Sequence, residues 1–192
     1  MASVTGFVVA GGRSQRMGRD KALLSWGAGT LLDHSLARLR EITDDVRVLC
    51  GPERRYQDRG APTIVDALSE SSALVGVLSG LLALERPLGL FLAVDLPHVP
   101  AGVLRHLASL AGGFDVVVPA GARGPEPLCA VYARECLEPI RRAVERGDLK
   151  MTSFWSEVSV REVLSAELAA FGDPARLFLN VNAPEDYEGA LP

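Results

Sequence analysis

Two short stretches decide the fold. The first is Thr5-Gly6-Phe7-Val8-Val9-Ala10, running into Gly11-Gly12. The second is Leu88-Gly89-Leu90-Phe91-Leu92-Ala93-Val94, ending at Asp95. Each is a continuous apolar run closed by glycine or an acid, the pattern of a strand buried on both faces. Around them the periodicity changes to helical. Over Leu31–Leu39 the residues Leu31, Leu32, Ser35, Leu36 and Leu39 share one helical face, and Leu74–Leu84 is apolar almost all round, which predicts deep packing. Val46–Leu49, Thr63–Val65, Val116–Val118 and Leu128–Tyr132 read as further strands, with Val158–Leu164 ambiguous. Val103–Leu110 and Leu137–Val144 read as helices, and Pro184–Ala190 as a last short one with proline near its start. Strand–helix alternation of this kind predicts an α/β fold: a three-layer sandwich, Rossmann-like, with a mostly parallel sheet and helices on both faces. No repeat or linker interrupts it, so residues 1–192 are expected to form a single domain. Residues 120–127 (AGARGPEP) read as a loop edging the site.

The chain has 192 residues, 48% of them hydrophobic and 23% charged, with a formal net charge of −4. That is enough apolar material for a core without staples. A general binder of nucleic acid or of an anionic membrane is expected to be basic, so neither partner is expected, and any anion must be gripped locally. Cys50, Cys129 and Cys136 are odd in number and include no CxxC, which indicates neither a disulfide framework nor a zinc site and fits a reducing cytoplasm. No apolar run nears the roughly 20 residues of a membrane span, and the N-terminal run lacks the basic flank of a signal peptide.

In an open α/β sheet, ligands bind beyond the carboxyl ends of the strands. That rule selects the loop after Ala10 and the residue after Val94. In the loop Gly11-Gly12-Arg13-Ser14-Gln15-Arg16-Met17-Gly18-Arg19-Asp20-Lys21, glycines allow backbone N–H groups to approach an anion. Arg13, Arg16, Arg19 and Lys21 then concentrate positive charge suited to a polyphosphate. The loop is neither GxxxxGK(S/T) nor GxGxxG, and a solvated turn with surface charges is the plainer alternative. Asp95 can hold a hard cation such as Mg²⁺ or merely cap a turn, and Asp66 carries the same ambiguity. Asn180 and Asn182 point to one face if extended, toward a metal or a phosphate, or else simply begin the final turn. Gly27–Leu32 (GAGTLL) reads as a turn before a helix. His34, His98 and His106 make no metal cluster, and Cys129 reads as a small hydrophobe in a strand. No nucleophilic triad stands out, which suits phosphoryl-type transfer between two bound substrates.

Together these stretches resemble the molybdenum cofactor guanylyltransferase family, the MobA-like nucleotidyltransferases. Val9–Lys21 is similar to its LAGGxSxRMGxDK signature. Asp66 with Leu74–Leu81 resembles a degraded D…GPLAGxxxGL, and Asp95 sits in an element like CDxP. Glu126-Pro127-Leu128 through Tyr132 resembles its late HPL-type strand, and Phe178–Asp186 its N(I/V)NTPED segment. The matches run in family order along nearly the whole chain. The resemblance implies a nucleotide-diphospho-sugar transferase-like fold and transfer of GMP from GTP to the phosphate of molybdopterin, releasing pyrophosphate. It places Val9, Ala10, Gly11 and Gly12 on the nucleotide through backbone groups and Lys21 on its phosphates. It also implies Asp66 on the base and ribose side, Arg16 beside Lys21 and Asp95 in catalysis, and Mg²⁺ on Asp95 and Asn182.

The chain departs from the pattern in four places. The Gly-Pro turn is missing before Leu74, Val94 replaces the Cys before the acid, Ala183 replaces a Thr, and Leu49 or Cys50 stands where a polar nucleotide contact often follows the second strand. Gly11 stands where related cytidylyltransferases carry Ala, and the missing methyl is expected to leave room for a purine. Cytidylyl transfer to molybdopterin or a sugar or polyol phosphate remains the alternative. So does a non-catalytic nucleotide-binding partner that passes cofactor to molybdoenzymes or their chaperones.

Overall fold

A computed structural model describes residues 3–11, 20–70 and 72–181. In chain order its elements are β1 (Val4–Val9), β2 (Ser25–Trp26), β3 (Gly29–Thr30), α1 (Leu31–Arg40), β4 (Val46–Leu49), β5 (Thr63–Ile64) and α2 (Ala73–Leu82). There follow β6 (Leu88–Ala93), α3 (Ala101–Leu110), β7 (Val116–Gly121), β8 (Gly124–Pro125), β9 (Cys129–Ala133), α4 (Leu137–Glu145) and β10 (Val160–Val163). The expected last helix, Pro184–Ala190, lies outside the described residues.

The sheet runs β10-β7-β9-β6-β1-β4-β5, with β8 pairing only with β7. β1, β4, β5 and β6 are parallel neighbours, and so are β7 and β10. β9 is antiparallel to both β6 and β7, the one reversal in the main sheet. The expected mostly parallel sheet is therefore present.

Alternation along β1 and β6 feeds two cores. Val8, Leu90 and Leu92 face α1 and α3, together with Leu32, Leu36 and Leu104. Phe7, Val9 and Phe91 face α2 and α4, together with Leu74, Leu78 and Ile140. Strand side chains of opposite parity point to opposite faces, so two helical layers close one sheet. On the α2 side the rings of Phe7 and Phe91 stack at 4.8 Å, and Tyr132 meets Phe91 edge-on at 5.4 Å.

Local chemistry explains the helix starts. Thr30 accepts from the Asp33 N–H while the Asp33 carboxylate accepts from the Thr30 N–H, a reciprocal cap on α1. Ser72 caps α2 through the Val75 N–H. α1 buries Leu31, Leu32, Ser35, Leu36 and Leu39, the face expected from periodicity. Gly27, at φ +57°, turns β2 into β3 directly before α1. Residues 120–127 differ from expectation. They extend β7 to Gly121 and fold back as β8, because Gly124 at φ +113° permits the tight reversal. Val158–Leu164 resolves as an edge strand, β10.

Two glycines of α2 behave oppositely. A Cβ at Gly80 would lie 2.7 Å from the Phe91 ring, whereas one at Gly76 would have no described atom within 4 Å. Gly80→Ala should therefore destabilise by about 1–3 kcal/mol through overpacking. Gly76→Ala should gain about 0.5–1 kcal/mol from helix propensity. Urea unfolding of the two variants checks the opposite signs.

Candidate active site

The carboxyl ends of three adjacent strands converge. The Ala10 N–H donates to the Leu49 carbonyl at 2.9 Å, and the Val94 N–H to the Val9 carbonyl at 3.1 Å. Beyond them Val9, Ala10, Gly11, Asp20, Lys21, Ala22, Ala93, Val94, Asp95 and Leu128 wall a cleft. A larger cavity of about 620 Å³ lies at the opposite strand ends, walled by Val4, Ile42, Gly102, His106 and Phe171 among others, with no carboxylate in its lining. The strand-end rule and the charges both favour the first.

Gly11 is required there by backbone packing. A Cβ on it would stand 2.5 Å from the Gly51 nitrogen and 2.7 Å from the Gly51 Cα. Gly51 itself sits at φ +77°, a conformation glycine adopts without strain. The expectation that the absent methyl at Gly11 makes room for a purine is corrected by this geometry. The methyl would be driven into the neighbouring backbone, not into ligand space. Through its N–H, Asp66 donates to the Gly51 carbonyl at 2.9 Å, so it stands on the flank of the cleft and not in its wall. Burial raises the Asp66 carboxyl above the usual range.

Lys21 opens a single helical turn whose cap is Asp20, accepting from the Ala22 N–H. Its Nζ reaches Asp95 Oδ2 at 3.1 Å, with both side chains mostly covered. The two sequence-selected residues, 74 positions apart, are thus brought together. Asp20 is held in turn by the Tyr56 hydroxyl at 2.8 Å and by Arg55 at 3.2 Å. Tyr56 lies at φ +67°, the sole non-glycine with positive φ among the described residues, a conformation costing on the order of 1–2 kcal/mol. Its buried ring and its bond to Asp20 hold it there, and both raise its pKa well above the ordinary value. Arg55 also donates to the Cys50 carbonyl at 3.0 Å and lies over the Tyr56 ring. Neither Arg55 nor Tyr56 was expected from sequence, since nothing local marks a loop tyrosine as the anchor of a distant turn.

Asp95 is fixed from both sides. Its carbonyl accepts from the Val181 N–H at 3.0 Å, which returns the Asn180 segment to the site. Two residues on, the Pro97 carbonyl accepts from His34 Nε2–H at 3.0 Å. Trp26 packs edge-on against both His34 and His98. His106 instead stands beside Phe171, and Cys129 is wholly buried in β9, its thiol pKa raised by that burial. Glu126 sits half-buried near Asp95. Burial raises its carboxyl, Arg123 opposes this, and Asp95 adds to it. Gly12, Arg16 and Asn182 lie outside the described residues.

A single strand-end carboxylate suits Mg²⁺, which usually takes one or two protein carboxylates and completes its shell with water and phosphate oxygens. Among the described residues no group of three His, Cys, Asp or Glu side chains forms a metal cage. No described helix is long and apolar enough to cross a membrane.

Gly11→Ala should lower kcat/KM about tenfold or more for every nucleoside triphosphate used, because it parts β1 from the loop after β4. Steady-state rates with GTP and CTP check this, and the expected outcome is an unchanged ratio. A pH effect follows from His34 and His98, whose pKa values burial holds below the usual 6.5. The unfolded chain takes up these protons first as pH falls. Their contribution is therefore whole above about pH 6.5 and lost progressively below it. Urea midpoints should fall on acidification, and less steeply in His34→Gln.

Comparison with known proteins places the chain in a family. Residues 6–163 match the MobA-like NTP transferase domain family. The molybdenum cofactor guanylyltransferase of Desulfosudis oleivorans is 30% identical, over 99% of this chain and 95% of its own. A protein of Chloroflexus aggregans described as a "Probable molybdenum cofactor guanylyltransferase" is 34% identical, over 95% of this chain and 91% of its own. The crystal structure of molybdopterin-guanine dinucleotide biosynthesis protein A from Archaeoglobus fulgidus superposes with a TM-score of 0.80. It is 23% identical, with 97% of this chain and 96% of that one covered. With Gly11, Lys21 and Asp95 at one cleft on the sheet edge, this chain belongs to the MobA-like NTP transferase family and is a nucleotidyltransferase.

Proposed function

We propose that the enzyme transfers GMP from GTP to the terminal phosphate of molybdopterin, forming molybdopterin guanine dinucleotide and pyrophosphate. The observation that carries this is the Lys21–Asp95 pair at the strand-end cleft, taken with the activity named for the relatives. In the transfer a phosphate oxygen of molybdopterin attacks the α-phosphorus. The bond from that phosphorus to the β-bridging oxygen breaks, and pyrophosphate leaves.

The chain's part is positioning and charge neutralisation. The Ala10 N–H is committed to the Leu49 carbonyl, so the nucleotide is contacted through the remaining backbone groups of Val9, Ala10, Gly11 and Gly12. Lys21 neutralises the triphosphate, with Arg16 beside it, and Asp66 supports the base and ribose side from beyond Gly51. Asp95, with Asn182, would hold Mg²⁺, which supplies Lewis-acid screening of the phosphate oxygens when bound. A partly exposed ion pair is worth on the order of 1 kcal/mol, so triphosphate and cation can separate Lys21 from Asp95 and take one partner each. Until then the pair keeps both side chains aimed into the cleft. The relatives' names favour the guanine donor over the cytosine one, since the shape of Gly11 does not decide it. Delivery of the product to molybdoenzymes is a further step, for which this site supplies no contact.

The test is mass-spectrometric product analysis with molybdopterin, Mg²⁺ and equal GTP and CTP. The guanine dinucleotide with pyrophosphate, abolished by a chelator, is expected. Lys21→Ala and Asp95→Asn should each slow turnover by roughly 10²-fold or more with the fold intact, the scale of one preorganised charge contact. A cytosine dinucleotide overturns the donor, and no dinucleotide overturns the transfer.

A further inference from the structure

β9 runs antiparallel to β6, with Cys129 opposite Leu92. The ladder continues one step further, because the Ala93 N–H donates to the Leu128 carbonyl at 2.7 Å. Beyond that step both chains turn, and Glu126, on the side of β6 away from β1, lies near enough to Asp95 for the two carboxylates to repel each other. Three adjacent strand ends therefore carry three different groups in a row: Gly11 on β1, Asp95 on β6 and Glu126 leading into β9.

The Glu126 carboxylate is also given a place of its own. A Cβ at Gly121 would stand 2.8 Å from Glu126 Oε1, so the side chain lies over a glycine that leaves it room. The backbone beneath is pinned, with the Glu126 N–H donating to the Pro119 carbonyl at 2.9 Å and its carbonyl accepting from Cys129. Its carboxylate enters none of the described side-chain hydrogen bonds or salt bridges; the Arg123 guanidinium influences it only from a distance. An ionised carboxylate can only accept, and this one, half-buried and outside those side-chain pairings, is available to N–H donors of a ligand.

We propose that Glu126 is a specificity-determining residue for the acceptor, taking N–H hydrogen bonds from the pterin ring. The inference rests on the transfer proposed above. The nucleotide occupies the β1 side of Asp95, so the substrate that approaches from the β9 side is the phosphate acceptor. That molecule must bring a phosphate to the reacting centre and present something else to Glu126. A carboxylate repels phosphate and attracts N–H donors, and a reduced pterin is rich in such donors. Glu126 thus orients the acceptor twice over, holding the heterocycle and keeping its phosphate toward Lys21. An acceptor made of a sugar or polyol phosphate offers hydroxyls in place of ring N–H groups and is held less firmly.

The experiment compares the wild-type chain with Glu126→Gln, Glu126→Ala and Gly121→Ala, the last keeping the carboxylate but displacing it. Anaerobic kinetics give KM separately for molybdopterin and GTP and the half-saturating Mg²⁺. Equilibrium binding of molybdopterin is read independently, from quenching of intrinsic tryptophan fluorescence. Expected is a roughly tenfold weaker affinity and higher KM for molybdopterin in both Glu126 variants, the scale of one charged hydrogen bond. The rise should be smaller in Gly121→Ala. KM for GTP, the Mg²⁺ requirement and Tm should stay as in the wild type. A change in the GTP or Mg²⁺ constants in place of the molybdopterin one overturns the inference, since Glu126 then serves nucleotide or metal. Unchanged constants throughout overturn it too. A wild-type chain that binds molybdopterin yet makes no dinucleotide overturns only the transfer, and the binding comparison still decides Glu126. A wild-type chain that binds no molybdopterin overturns both.

Discussion

Two backbones without side chains meet at the carboxyl edge of the sheet, and the site is built outward from that contact. Gly11 leaves β1 and Gly51 leaves β4 so close together that a methyl on the first would fall inside the second. The approach sets Gly11 and the start of the β4–β5 connection at a common point. That connection also reaches Asp20, which Tyr56 and Arg55 hold. Asp20 caps the turn that begins with Lys21, and Lys21 meets Asp95. A chain of short-range contacts thus runs from a steric constraint to the aim of a charged side chain. The strained backbone at Tyr56 is one of its costs.

The parallel half of the sheet and its antiparallel strand divide the work. β1 and β4 bring glycine backbone to the cleft, while β6 ends just before Asp95 in its wall. β9, by reversing direction, places the residues that precede it, and not those that follow it, at the same edge. Glu126 comes near Asp95 only because of that reversal. In a wholly parallel sheet the start of β9 would lie at the far edge, beside the cavity lined by Val4 and Phe171.

Much of this was legible in the residues themselves. The runs 5–10 and 88–94 announce buried strands because β-branched and aliphatic residues fill both parities, and each ends on a group that stops a strand. The helical faces follow equally from local spacing, down to the five buried positions of α1. Lys21 and Asp95 could be singled out separately, one by the density of charge around it and the other by its place after a strand. Gly11 stands out in the sequence, but the steric reason for it is the Gly51 backbone and not ligand space. An absent side chain does not say which neighbour it would have struck.

The sequence by itself determined where strands and helices lie, which strand ends carry chemistry and what kind of chemistry that is. These properties depend on residue types within about ten positions of one another. Tertiary structure alone decided strand order, the reversal of β9, the hairpin at 116–125, the Tyr56–Asp20 anchor and the pairing of Lys21 with Asp95. Each of these depends on contacts between segments tens of residues apart, whose register is set by burying two faces of one sheet at once. Positive φ at Tyr56 and the place of Glu126 near Asp95 have no local signature. Only when β4, β6 and β9 are packed does a loop tyrosine become an anchor and a strand-edge glutamate come close to Asp95.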